Sequence, residues 1–402
     1  MRALFANRQF RLLILIRVTT SLALPMLMVA VGWNIYELTN DPVDLGYVGL
    51  AVFLPQMLMT LPAGHAADHF PRRSMLLFAY GMLALSAALL TLGAALGNRD
   101  PLLIFAALPI YALGNATMRP ASQSLLPQVV SKEQLPSAVA FSSSSWQMAS
   151  IAGPAIGGLL YGLGPALVYG LVSGLLASVM LLATNLVHIQ PAAMTDSGVV
   201  KRLLAGVDFV RARPVLLGAI SLDLFAVLFG GATALLPVYA RDILAVGPQG
   251  LGLLRAAPAV GALICGVTLA NRPLQRRAGR IMFLCVGGFG LATIIFGMSR
   301  SLPLSLAALA CLGACDMVSI YVRQTLVQIN TPDAMRGRVS AVSNLFIGAS
   351  NELGEFESGI TAGWFGTVPA VVLGGVGTLT VVLVWSLIFP QLRRVDRLDE
   401  QA

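Results

Sequence analysis

Charge is scarce in this chain. Asp, Glu, Lys and Arg make up 11% of its 402 residues, against about 25% in a soluble domain, which excludes an ordinary water-soluble globule. Histidine is scarcer still, with three residues. Of these, His65 and His69 flank Asp68, too thin a ligand set for a metal centre, so no metal is expected. The four cysteines, Cys265, Cys285, Cys311 and Cys315, all fall in apolar runs, which argues against a disulfide framework or zinc site and for small buried thiols. There is no Gly-x-x-x-x-Gly-Lys loop, no nucleophile motif with its base and no soluble domain to hold ATP. Enzymatic work is therefore not expected, no cofactor is called for, and energy must come from an ion gradient.

What is abundant is apolar. The chain is 57% hydrophobic, with 40 Gly and 22 Pro, residues commoner in membrane helices than in soluble ones. A span needs about 20 residues, and apolar runs fall near 10–38, 45–66, 74–97, 102–126, 137–162, 166–190, 214–240, 249–271, 280–299, 303–328, 339–364 and 368–391. The fold class is thus all-α, a polytopic membrane protein with twelve transmembrane helices. The first run lacks a small-residue cleavage site and is long enough to span, so it reads as a retained helix. Basic residues of the short loops set the orientation. Placing both termini in the cytoplasm puts Arg72, Arg73, Lys201, Arg202, Arg276, Arg277, Arg336, Arg338, Arg393 and Arg394, among others, inside, against Arg99, Arg241 and Arg300 outside. The net charge of +8 is then a cytoplasmic-loop effect that implies anionic lipid headgroups. Without a basic stripe or aromatic platform, nucleic acid is not expected as a partner.

The sequence repeats itself weakly. Gln123-Ser124-Leu125 matches Gln324-Thr325-Leu326 at an offset of 201, which also pairs Ser142 with Ser343, Gly153 with Gly354, Gly158 with Gly359 and Gly162 with Gly363. Earlier in each half the offset is 203, pairing Gly49 with Gly252, Pro55 with Pro258 and Arg73 with Arg276. Small residues recurring in this way mark helix contacts that both halves need. The expected organisation is a six-helix bundle over 1–190, a cytoplasmic linker over 191–213 and a second bundle over 214–402. Within the linker, Leu203, Leu204, Val207 and Val210 stand at helical spacing beside Lys201, Arg202 and Arg211, the pattern of a short amphipathic interfacial helix.

Two motifs stand out. The loop after the second run reads Gly64-His65-Ala66-Ala67-Asp68-His69-Phe70-Pro71-Arg72-Arg73; Gly64 permits close helix approach, Asp68 suits a helix N-terminus, and Arg72 and Arg73 anchor the turn inside. The fifth run holds Gly153-Pro154-Ala155-Ile156-Gly157-Gly158, a Pro-bent helix with a glycine face. The first resembles motif A of the major facilitator superfamily, with His69 and Pro71 in place of the usual Arg and Gly; the second resembles the antiporter motif C. Trp33-Asn34-Ile35-Tyr36-Glu37-Leu38-Thr39 and Gly206-Val207-Asp208-Phe209-Val210-Arg211 are similar to a branch of that superfamily that exports siderophores and drugs such as macrolides. The resemblance runs from Arg17 to about Arg394. It implies two pseudo-symmetric six-helix bundles, alternating access, a motif A that latches the halves, a bacterial inner membrane and a monomer that meets a small-molecule substrate and membrane lipids.

A charge at bilayer depth costs roughly 2.5–3.5 kcal/mol even on mild scales, so those within the runs are candidate functional groups. Glu352, Glu355 and Glu357 lie together in the eleventh run. Glu352 and Glu355 share a helical face, while Glu357 lies on another. Two neighbouring carboxylates suit proton coupling; solvated vestibule charges are the bland alternative. Asp316 and Arg323 stand seven apart on one face of the tenth run, roughly 10 Å along the axis, and so need a bridge or partners on another helix. The superfamily resemblance implies that spans 1, 4, 7 and 10 line the substrate cavity, and Arg17, Arg119, Asp223 and Asp316 fall one in each. The expected function is a proton-coupled antiporter exporting an amphipathic small molecule. A lysophospholipid flippase is the alternative in the same class, and a non-transporting receptor or assembly factor the alternative in another.

Overall fold

The structure, a computed structural model, describes residues 2–123, 125–131, 133–186, 199–272, 274 and 276–396. They are helical almost throughout. The long helices are α1 (Arg8–Thr39), α2 (Pro42–His69), α3 (Arg72–Ala95), α4 (Leu102–Gln123), α5 (Leu135–Tyr161), α6 (Pro165–Ala183), α7 (Val199–Arg211), α8 (Pro214–Phe229), α9 (Gly247–Asn271), α10 (Ala278–Met298), α11 (Leu302–Ile329), α12 (Asp333–Phe365) and α13 (Thr367–Ile388).

Local chemistry sets their ends. Asn7 caps α1, its Oδ1 accepting from the backbone N–H groups of Gln9 (2.9 Å) and Phe10 (3.3 Å). The helix stops where Asn40 turns left-handed at φ 54° and donates its N–H to the Tyr36 carbonyl. Gly164 and Gly366, at φ 125° and 89°, make the turns into α6 and α13, a conformation that side chains rarely adopt. The seventh apolar run is not one helix. After α8 the chain breaks at Gly230-Gly231, passes through a 3₁₀ turn (Ala232–Leu235) and resumes with a π turn at Tyr239–Ile243. A Cβ on Gly231 would lie 2.6 Å from the Gly354 carbonyl carbon, so the break goes with close approach of α12.

Among the described residues, ten helical segments are long and apolar enough to cross a membrane. The other two expected spans correspond to α5 and α12, which have the length but lower hydropathy, because α5 carries Ser142–Ser145 and α12 the three glutamates. Large apolar side chains such as Leu92, Leu181, Leu284 and Leu387 are exposed, as lipid-facing positions should be.

Two compact units emerge. One comprises 1–40, 51–196 and 246–256, the other 41–50, 197–245 and 257–402. In chain terms the first turns of α2 belong to the second unit and the first turns of α9 to the first. In the first unit α1 packs on α5 and α6, and α3 on α4 and α6; in the second α8 packs on α12 and α13, and α10 on α11 and α13. The pairing is thus the same in both, and the glycine contacts follow it: a Cβ at Gly153 would meet the Leu22 carbonyl at 2.7 Å, and one at Gly354 the Leu228 carbonyl at 2.9 Å. The cysteines depart from expectation. All four are free thiols, none is buried, and Cys311 is exposed, because their apolar surroundings are helix surface and not interior.

Candidate functional site

The most deeply buried ion pair among the described residues lies in the second unit. Asp223 projects from α8, while Asp316, Ser319 and Arg323 project from α11 at spacings of three and four, hence along one face. Arg323 Nη2 stands 3.3 Å from Asp223 Oδ2. Ser319 Oγ donates to Asp223 Oδ1 at 3.2 Å, and Arg323 Nη1 donates to Ser343 Oγ on α12 at 3.2 Å. Asp223 is 5% exposed and Arg323 1%. A buried charge persists only when paired and hydrogen-bonded, and this network supplies both. Beside it is a cavity of about 10 Å³ bordered by Asp223, Asp316, Ser319 and Phe289, room for about one water. Two carboxyl groups thus border a water-sized space, and one of them, Asp223, is paired with the Arg323 guanidinium. Arg323 finds its partner on another helix, in Asp223 of α8, while Asp316 shares the cavity lining with Asp223 and Ser319.

The first unit holds a counterpart of different charge. Arg17 on α1 donates from Nη1 to Ser142 Oγ at 2.9 Å and from Nη2 to the Ser122 carbonyl at 2.7 Å. It lines a cavity of about 270 Å³ with Arg119, Thr20, Tyr80, Ser143 and Trp146. The lining contains two guanidinium groups and several hydroxyls but no carboxylate. Ser142 and Ser343 are repeat partners at the offset of 201, and so are Ser122 and Arg323. The serines accept from an arginine in each unit, although the arginine comes from α1 in one and from α11 in the other. Sequence reasoning treated Ser142 and Ser343 as packing residues and overlooked Ser122 and Ser319; the recurring serine was the available signal.

The three glutamates occupy a different place. A Cβ on Gly49 would lie 3.0 Å from Glu355 Cβ and 3.2 Å from the Glu352 carbonyl, so this turn of α12 packs against the glycine-bearing start of α2 within the second unit. Glu357 accepts a hydrogen bond from Thr361 Oγ1 at 2.8 Å. Neither Glu352 nor Glu355 borders the cavities beside Asp223 or Arg17.

The motif residues divide. In the fifth-run motif, Gly157 is tight against Met26 of α1, with a Cβ placed 2.9 Å from Met26 Cα, and Gly158 adjoins Pro248 and Gly252 at the start of α9; Pro154 is buried between them. In the loop motif, nothing among the described residues lies within 4 Å of a Cβ built on Gly64. The Asp68 side chain lies outside the described residues. Arg72 and Arg73, partly buried, open α3, and Arg72 Nε is buried without a hydrogen-bond partner. His65 and His69 stack at 4.2 Å between ring centroids. Among the described residues no group of three His, Cys, Asp or Glu is arranged to hold a metal ion.

A family model described as transmembrane secretion effector matches residues 2–402. The enterobactin exporter EntS of Escherichia coli O1:K1 / APEC is 28% identical over 410 residues, which covers 98% of this chain and 94% of that protein. Among solved structures, the nucleoside transporter NupG superposes with a TM-score of 0.72 at 13% identity, over 95% of this chain and 99% of that one. A POT family transporter in complex with 5-aminolevulinic acid gives 0.73 at 10% identity, over 96% and 97%. At such identities the structural likeness speaks to the fold alone.

Proposed function

The chain belongs to the transmembrane secretion effector family of the major facilitator superfamily, and on that premise we propose that it exports an amphipathic small molecule in exchange for protons. It is a transporter and not an enzyme, a secondary-active member of a superfamily that draws on the proton motive force. In this reading α5 and α12 complete twelve spans, both termini are cytoplasmic, and the two units alternate access to the two sides of a bacterial inner membrane.

The observation that carries the proposal is the charge count around the water-sized cavity. Arg323 balances Asp223, and its remaining bond to Ser343 holds it there. Asp316 borders the same space as a second carboxyl, and no cation stands in the lining. Asp316 is partly buried, and a carboxylate that loses water without a counter-charge of its own is costly, so this group takes a proton from one side and gives it up when the site opens to the other. Cargo has a complementary place in the first unit, where Arg17, Arg119 and the hydroxyls of Thr20 and Ser143 suit a molecule with anionic or hydrogen-bond-accepting groups, and Trp146 and Tyr80 suit its apolar or aromatic part. Similarity to enterobactin exporters supports a siderophore as that cargo.

Two assays test this. Culture supernatants of strains with and without the gene, grown under iron limitation, should differ in a secreted siderophore-like compound. In inside-out vesicles, uptake of that compound should collapse when a protonophore dissipates the pH gradient. Uptake indifferent to the protonophore would contradict proton exchange, and supernatants without any difference would contradict export.

A further inference from the structure

Arg211, at the C-terminal end of the linker helix, stands at the mouth of a third cavity, which neither the coupling site nor the cargo site uses. We propose that this cavity holds an acyl chain of an anionic phospholipid of the cytoplasmic leaflet, with its phosphate on Arg211.

Three helices of the second unit build the cavity, each offering residues one turn apart: Val207 and Val210 from α7, Leu217 and Ile220 from α8, Val342 and Phe346 from α12. It measures about 270 Å³. The helices are held at a fixed distance next to it, because a Cβ on Gly206 would meet the Arg338 carbonyl at 2.8 Å and Val342 Cγ2 at 3.0 Å. Besides Arg211 the lining has one polar side chain, Ser221, and its hydroxyl is already engaged: it donates to the Leu217 carbonyl at 2.5 Å and accepts from Trp385 Nε1 at 2.9 Å. A water needs two to four polar partners, which these walls do not supply, so hydrocarbon is the fitting content.

Charge selects the headgroup. Arg211 is exposed at the C-terminal turn of α7. Arg213, two residues on, lies with its guanidinium 3.7 Å above the Phe209 ring, which keeps a second cation at the same end. Arginine pairs with phosphate in a forked geometry, and the leaflet assigned by the basic loops is the one rich in anionic lipid. Two cations at the mouth of an apolar slot favour a phospholipid of net negative charge over one whose phosphate is offset by a choline cation. The occupant would pin the linker helix onto α12, the helix that also carries Ser343 and Glu355.

The test is native mass spectrometry of the full-length transporter, purified and offered equal amounts of phosphatidylglycerol and phosphatidylcholine with identical acyl chains. Several-fold preferential retention of phosphatidylglycerol is expected. Arg211→Ala should remove the preference, whereas Val207→Phe, which fills the slot, should reduce retention of both lipids. Arg280→Ala, outside the lining, should change neither. Thermal unfolding of each variant checks folding independently, and Val342→Met serves as a milder filling variant should Val207→Phe misfold. Equal retention of the two lipids, or an unchanged preference in Arg211→Ala, would overturn the proposal. So would displacement of the retained lipid by inorganic phosphate, by the exported compound or by dimerisation, because the slot would then serve a different occupant.

Discussion

The two units use one scaffold to hold opposite charges. In the first, Arg17 and Arg119 line a cavity of about 270 Å³ with hydroxyls and no acid. In the second, Asp223 and Asp316 border a cavity of about 10 Å³ with Arg323 bonded to one of them. The recurring serines, Ser142 and Ser343, accept from the arginine in each case. The lesson is that the repeat keeps a serine that accepts from an arginine, while the helix that supplies the arginine and the surrounding groups differ. In the proposed reading the roomy, cationic cavity takes cargo and the small one, bordered by two carboxyls, takes a proton.

The largest effect that can break this comparison is expected at the anchors. Arg323→Met leaves Asp223 buried without its counter-charge and should cost about 3–5 kcal/mol, read as a lower unfolding midpoint of the purified protein. The double variant Asp223→Asn/Arg323→Met should recover most of that loss. Arg17→Met orphans no acid and should cost about 1–3 kcal/mol, the range for unmet hydrogen-bond partners. Equal losses at Arg17 and Arg323, or no recovery in the double variant, would erase the distinction between the units.

A smaller effect sharpens the cargo side. Arg17 reaches two acceptors from two nitrogens, which the point charge of lysine does not reproduce. Arg17→Lys should therefore raise the KM for cargo several-fold with little change in unfolding midpoint. The smallest effect is expected at the glutamates. Glu355→Gln keeps the shape of the α12 contact with Gly49 and should leave pH-driven transport within about two-fold, a factor well under 1 kcal/mol. Gly49→Ala, whose Cβ would stand 3.0 Å from Glu355 Cβ, should slow transport more than Glu355→Gln does. Loss of proton-driven transport in Glu355→Gln would move the coupling role to α12.

Much of the fold was legible because apolar periodicity and the repeat offsets both report on helix packing. The offset that pairs Gly153 with Gly354 located two glycines that press on α1 and α8, each within its own unit. Hydropathy was a weaker guide where function intrudes: α5 and α12 fall short of the apolar threshold because of their serines and glutamates. The break at Gly230-Gly231 was hidden inside a continuous apolar run, since hydropathy is blind to backbone conformation. The candidate site was legible as a set of improbable charges, and Asp223, Asp316 and Arg323 do converge. Their partners were not, because a serine looks the same in sequence whether it fills space or accepts from a buried arginine. The glutamates drew attention through their number; the structure adds that Glu355 lies in a helix contact beside Gly49, a neighbour that spacing along the chain does not reveal.

The central claim is that the second unit carries the proton and that Asp316 is its carrier. Asp316→Asn keeps the size of the side chain, leaves the Asp223–Arg323 pair intact and fixes a neutral form. In proteoliposomes, cargo counterflow and pH-gradient-driven accumulation should be measured on the same preparation. The account predicts counterflow near the wild-type rate with accumulation abolished. Full pH-driven accumulation by Asp316→Asn, alongside normal counterflow, would contradict it.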